Sequence, residues 1–135
     1  MLATIGPVEL RVRIMSGEVR AIGPGKAAVL EAIQAYGSIS ASGRALGISY
    51  KRCWALVDEM NRCWREPLVA TRRGGSAQGA ALTPLGEQIL AAYRRLETRL
   101  LETVRDDPAF ADICETLRAH PIAAADGGTP RGVET

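Results

Sequence analysis

The segment from Gly37 to Trp64 constrains this chain more than any other, because paired serines and glycines divide it into a short helix and a longer one with almost nothing between them. Ser38 is placed to cap a helix over about Ile39 to Leu46, and Gly47 suits the left-handed backbone that stops it. Only Ile48 separates that stop from Ser49, which can cap the next helix. There Cys53, Leu56, Val57, Met60 and Trp64 recur at i, i+3, i+4, i+7 and i+11, so one face is apolar. The other face carries Tyr50, Lys51, Arg52, Ala55, Asp58, Glu59 and Arg62. A short helix of small residues, a glycine in the turn and an apolar residue after it are the parts of a helix-turn-helix, whose second helix presents its N-terminal end to the major groove. A generic helical corner is the bland alternative.

The residues after Trp64 weigh against a generic corner. Pro67 ends the longer helix, and Leu68 to Thr71 and Ala80 to Thr83 read as two short strands. The loop between them starts Arg72-Arg73-Gly74-Gly75 and holds no bulky apolar group, the composition of a wing tip that can follow a phosphate backbone. An ordinary mobile hairpin has the same composition. Upstream, Val8, Leu10, Val12 and Ile14 alternate with polar residues as in a strand, Ser16-Gly17 turns the chain, and Val19 to Ile22 can pair back. A helix from Lys26 to Tyr36 then stops at Gly37.

Downstream, Thr83-Pro84 predicts a cap and first turn of a long helix to about Val104. Its stripe is Leu85, Ile89, Ala92, Leu96, Leu100 and Thr103, with Tyr93 beside it. A helix of that length outreaches a small core. A weaker helix is expected from Ala109 to Ala119 after Asp106-Asp107-Pro108, and a disordered tail from about Ala123. The fold class is therefore α+β: a winged helix-turn-helix with an N-terminal β-hairpin and a long C-terminal dimerisation helix. Residues 1–105 form the DNA-binding domain with its dimerisation helix at 84–104. Residues 106–122 form the short C-terminal helix and 123–135 the tail.

Charge supports this division. The net charge is only +2, but residues 38–83 carry seven basic and three acidic side chains, and residues 84–135 six and nine. A basic centre is what phosphate neutralisation needs, though such an excess also occurs on ordinary surfaces. No run of apolar residues reaches membrane-spanning length and no secretory leader pattern opens the chain, so the expected location is the cytoplasm, with no membrane partner. Cys53, Cys63 and Cys114 make no disulfide framework and are expected to be reduced and buried. If one helix held Cys53 and Cys63, it would separate them by roughly 15 Å.

Other motifs weigh little. Gly23-Pro24-Gly25-Lys26-Ala27-Ala28 fits G-x-G-x-x-A, but no acidic residue stands about 20 positions on and no alternating strand and helix pattern surrounds it. The start of a helix is the better reading. His120 is the sole histidine and has no clustered cysteines or carboxylates, so no metal or cofactor is expected. Trp54 and Trp64 are read as core residues in preference to base-stacking ones. Asp106-Asp107 reads as a solvated turn. No nucleophile, base or metal cluster marks an enzyme.

The same residues carry a resemblance. Gly37-Ser38-Ile39-Ser40, Gly47-Ile48-Ser49-Tyr50-Lys51, Trp54, Glu59-Met60-Asn61, the wing glycines and Leu82-Thr83 leading to Gly86 resemble the N-terminal DNA-binding domain of the ModE family of molybdate-responsive transcriptional regulators. The likeness spans roughly residues 8–105. A more distant one, through Gly-Ser-Ile-Ser and Leu-Gly-Ile-Ser, is to LysR-type regulators. The ModE resemblance implies operator contacts from the longer helix and wing, here Ser49, Tyr50, Lys51, Arg52, Arg72 and Arg73. It also implies a subunit interface on the long helix around Leu96. Full members carry molybdate-binding domains that the remaining residues of this chain have no room for, so molybdate binding is not expected of it.

The expected function is sequence-specific binding of double-stranded DNA by a homodimeric transcriptional regulator. The alternative is a dimeric protein-interaction or adaptor module on the same scaffold. Ser38, Ser40 and Arg44 join the six residues above as candidate DNA contacts, and Leu85, Ile89, Tyr93, Leu96 and Leu100 are the candidate dimer interface.

Overall fold

The computed structural model describes residues 3–5, 8–72 and 79–125. Two short hairpins come first. Strand β1, Ala3–Ile5, pairs antiparallel with β2, Val8–Leu10, and β3, Ile14–Ser16, pairs with β4, Val19–Ile22. The single strand expected from Val8 to Ile14 is thus two. Arg11 to Arg13 leave the ladder, where the Val12 carbonyl instead accepts a hydrogen bond from the Tyr93 hydroxyl at 2.8 Å. The register then shifts between Ile14 and Met15, and Ile14 ends up exposed, not on the inner face that simple alternation predicts.

Helix α1, Pro24–Tyr36, comes next with Pro24 in its first turn, as the reading of that glycine-rich segment as a helix start expects. It buries Ala27, Val29, Leu30, Ala32 and Ile33, a face broad enough to touch α2, Ile39–Leu46, and α3, Tyr50–Asn61. Around it Ile22, Cys53, Val57, Met60, Leu68, Leu90 and Tyr93 close one hydrophobic core. Helix α3 stops at Asn61, short of Pro67. The reason lies in the Asn61 side chain, whose carbonyl accepts from the amides of Leu68 (2.9 Å) and Val69 (3.0 Å) while its amide donates to the Val69 carbonyl (3.0 Å). That one residue ties the end of α3 to β5, Val69–Arg72, which pairs antiparallel with β6, Gly79–Leu82.

Helix α4, Pro84–Arg105, starts where Thr83 caps it, the threonine hydroxyl accepting from the Gly86 amide at 3.0 Å. A Cβ on Gly86 would lie 2.1 Å from the Leu68 carbonyl oxygen, so glycine there is a condition for the helix to reach the strand. This contact rotates the helix relative to the expected stripe. The buried positions are Gly86, Leu90, Tyr93 and Glu97. Leu85 and Ile89 pack at the margin of the core, and Leu96 is 37% exposed. Glu97 is tolerated inside because Arg94 holds it at 2.7 Å and also binds Glu31 of α1 at 2.6 Å. Burial works against the Arg94 charge, but the hydrogen bonds to the two carboxylates prevail and raise its pKa further.

Helix α5, Pro108–Glu115, is capped by Asp107 and ends before the expected Ala119. None of its residues is buried. Residues 123–125 are exposed without regular structure, and the rest of the expected tail lies outside the described residues. Among the described residues the architecture is α+β, five helices with three two-stranded antiparallel sheets, compatible with a winged helix.

Candidate nucleic-acid interface

The two-helix unit is held from its turn outward. Ser38 caps α2 by accepting from the Ala41 amide at 3.0 Å, and Gly47 closes the helix in the left-handed region at φ 71°. The Ile48 amide returns to the Gly43 carbonyl at 2.9 Å. A Cβ on Gly43 would come within 3.1 Å of the Ile48 carbonyl and 3.5 Å of the Cys53 Cβ, so the small residues of α2 let α3 pack against its backbone. Ser42 is buried and its hydroxyl donates to the Ser38 carbonyl at 2.7 Å.

Ser49 then caps α3, accepting from the Arg52 amide at 3.0 Å. Burial of Cys53, Val57 and Met60 on the inner side turns Tyr50, Lys51 and Arg52 outward. The two ends of the helix differ electrostatically. At the distal end Arg62 is paired with Asp58 at 3.2 Å, and Glu59 binds Lys26 at 2.5 Å. The hydrogen bond from Lys26 holds the Glu59 carboxyl below the usual glutamate range, outweighing the opposite push of burial. Lys51 and Arg52 form no ion pair among the described residues. Cationic side chains with no ion pair among the described residues, Arg52 acting on Glu59 only through its longer-range field, at the end of a helix whose amides also favour negative charge, can meet phosphates or base edges.

Trp54 departs from its expected core role. It is 44% exposed and lies one helical turn beyond Tyr50, on the same outward face. Its size and apolarity favour burial, so a reading by residue type places it in the core. The signal was present in the spacing, since Cys53, Val57 and Met60 exclude position 54 from the inner face. Trp64 does pack partly against the core.

The β5–β6 hairpin is anchored at the junction of the first two helices, where the Ala80 amide donates to the Gly37 carbonyl at 2.8 Å. With the Asn61 clamp, this ties the hairpin to both the start of α2 and the end of α3. Arg72 is exposed opposite Gly79 at the end of the ladder, and Arg73 lies outside the described residues. On α2, Arg44 is exposed and donates to the Ser40 hydroxyl at 3.0 Å. The structure therefore brings Ser38, Ser40, Arg44 and Ser49 to Arg52 together on the packed α2–α3 pair.

The candidate dimer residues separate into two groups. Tyr93 is drawn into the core of its own chain, and burial pushes its hydroxyl pKa up. Leu85 and Ile89 are partly covered there too, which leaves Leu96 and the half-buried Leu100 as the more accessible members. Burial also raises the Cys53 thiol pKa, so it is no reactive thiolate. Cys63 and Cys114 are free thiols that are only partly covered, against the expectation of burial, and Cys63 lies beyond the end of α3. Among the described residues no three metal-ligating side chains cluster, and no helix is long and apolar enough to cross a membrane.

No family model matches the chain. Curated proteins do. It is 46% identical over 77 residues to the molybdenum-pterin-binding protein MopB of Rhodobacter capsulatus, covering 56% of this chain and 28% of that protein. It is 39% identical over 88 residues to the transcriptional regulator ModE of Yersinia pestis, covering 62% and 34%. To the DNA-binding transcriptional dual regulator ModE of Escherichia coli K12 it is 32% identical over 91 residues, covering 64% and 35%. The chain thus spans about a third of the length of these relatives.

Proposed function

We propose that this chain is a non-enzymatic, sequence-specific DNA-binding module of a transcriptional regulator similar to ModE, acting as a homodimer. Residues 1–105 would form the DNA-binding unit, a winged helix-turn-helix with α2 and α3 as its two helices. The observation that carries the reading is the asymmetry of α3: Tyr50, Lys51 and Arg52 stand exposed at its N-terminal end without ion pairs among the described residues, while Arg62 at the other end is paired to Asp58. The names of the relatives support the same class.

In this reading α3 enters the major groove by its first turn, where Lys51 or Arg52 can form a forked contact with guanine, and Tyr50 and Trp54 offer apolar contact to a thymine methyl. Arg72 and Arg73 hold the wing to the phosphate backbone and contribute affinity more than specificity. Ser38, Ser40, Arg44 and Ser49 fix the register of the two-helix unit on the duplex. The part of α4 about 84–104 joins two copies through Leu96 and Leu100, with Leu85 and Ile89 at its margin, and sets the spacing of the half-sites.

Selection of bound duplexes from a random pool, followed by footprinting, tests this. The expected product is a near-palindrome whose half-sites lie about 34 Å, or a multiple of it, apart. A pool that never enriches would favour an adaptor role on the same scaffold.

A further inference from the structure

An open cleft of about 450 Å³ lies between the β3–β4 hairpin, the first turn of α1 and the side of α3, and of the candidate DNA contacts Arg52 alone borders it. Its charges are unevenly satisfied. Arg11 is held by Glu9 at 2.8 Å, and the buried Lys26 is committed to Glu59 and to the Arg20 carbonyl. Arg13, Arg20 and Arg52 are exposed, come from three different segments and form no ion pair among the described residues. Opposed to them are Glu18, also without an ion pair among the described residues, and Glu59, which Lys26 holds but whose charge Arg52 also feels. Three guanidinium groups around one cleft repel one another, and an entering anion turns that repulsion into attraction.

The backbone adds to the same field. Helix α1 opens on the cleft with Gly23 as its cap, no side-chain hydrogen bond at that cap and no acidic residue in its first turn. The amides of Gly25 and Lys26 therefore lack the side-chain acceptor that Ser38, Ser49 and Thr83 supply to their helices. Gly23 itself is closely covered, since a Cβ there would lie 3.1 Å from the Arg13 Cγ, which keeps the Arg13 stem folded over the helix start.

We propose that this cleft is a binding site for a phosphate-type anion, held by the guanidinium groups of Arg13, Arg20 and Arg52 and by the first amides of α1. Guanidinium forks match tetrahedral oxyanions and helix starts favour them. The anion can be a backbone phosphate of bound DNA lying beyond the α3 contacts, or a free polyphosphate whose occupancy draws Arg52 away from DNA. The first source rests on the DNA-binding reading above; the site itself does not.

Titration of the isotope-labelled full chain with inorganic pyrophosphate at low ionic strength, followed by nuclear magnetic resonance, tests the site without DNA. Saturable shifts are expected at the Gly25 and Lys26 amides and at the side chains of Arg13, Arg20 and Arg52. Combining Arg13→Ala with Arg20→Ala should weaken binding roughly tenfold or more, and Glu18→Gln should tighten it. Both arginines are exposed, so the double variant should stay folded, with at most a small fall in unfolding midpoint from losing the Arg13 stem beside Gly23. Shifts that never saturate, or that saturate unchanged in the double variant, overturn the site. Repeating the titration with saturating duplex identifies the source. Displacement of pyrophosphate, with a lower salt dependence of DNA binding in Arg13→Ala, assigns the site to the DNA backbone. Pyrophosphate binding weakened by duplex, with that dependence unchanged, assigns it to a free anion that competes for Arg52.

Discussion

The two halves of α4 carry similar apolar spacing and meet opposite fates. Helix α4 touches α1, β6 and β1, and its buried residues, Gly86, Leu90, Tyr93 and Glu97, all fall in the first half. Beyond Glu97 no described residue is buried, and Ile113 and Leu117 stand 68% and 57% exposed. Leu100, Leu101 and Val104 are only partly covered. Apolar periodicity alone therefore says that a face wants cover; it does not say whether the chain itself supplies it. In the first half the cover comes from a glycine that admits a strand backbone and a buried acid with its own arginine. In the second half the described residues supply only part of it, and the proposed function assigns the rest to a second copy.

The inner half is most directly disrupted by Gly86→Ala. A methyl group placed 2.1 Å from the Leu68 carbonyl forces α4 off the hairpin, and the cost should be on the order of 3 kcal/mol or more. Thermal unfolding by circular dichroism should show a large fall in midpoint; an unchanged midpoint would mean that α4 is not seated as described. On the outward side of the same helix, Leu96→Glu should leave that midpoint nearly unchanged, because the side chain is 37% exposed, and convert dimers to monomers. Each buried leucine contributes roughly 1.5–3 kcal/mol to such an interface. Sedimentation equilibrium reads the outcome, and a wild-type protein that is monomeric at micromolar concentration would remove the dimer role from α4.

Lys51→Ala and Arg52→Ala separate packing from function within α3. Each should cost about 1–3 kcal/mol of specific DNA binding if it makes a forked base contact. Neither should shift stability by more than about 0.5 kcal/mol, because both side chains are exposed and make no ion pair among the described residues. The smallest expected effect concerns Glu59, whose pKa is lowered first of all by the Lys26 hydrogen bond. A carboxyl with a depressed folded pKa contributes stability above its unfolded value and loses it as pH falls through the folded one. Wild-type stability should therefore decline on acidification below the ordinary glutamate range. Glu59→Gln should unfold somewhat earlier at neutral pH and show a flatter acid limb in unfolding midpoints measured against pH.

Much of the framework was legible because it is written in local chemistry. Ser38 and Gly47 bound α2 where capping rules place them, and Thr83-Pro84 opens α4. Less legible was anything that depends on a distant partner. The break at Arg11 to Arg13 reflects Tyr93 taking the Val12 carbonyl, and the end of α3 reflects Asn61 reaching β5. The core face of α4 includes a glycine and a glutamate, residues that hydrophobic periodicity discards, so the expected stripe falls one position away from the buried one. At the candidate interface the exposed N-terminal residues of α3 could be read from the position of its apolar face. Trp54 is legible only from its angle on the helix, which its size and apolarity argue against.

The proposed function stands or falls on whether the exposed cations of α3 and the wing bind duplex DNA. Fluorescence anisotropy of a selected duplex, measured from about 50 to 200 mM salt, reads this without an intermediary, since each phosphate contact contributes about 0.9 to the slope of log affinity against log salt. A steep negative slope is expected, falling by about two when Arg72→Ala and Arg73→Ala are combined, with sequence preference retained. Binding that shows no salt dependence, or no binding to any duplex at the low-salt end, would contradict it.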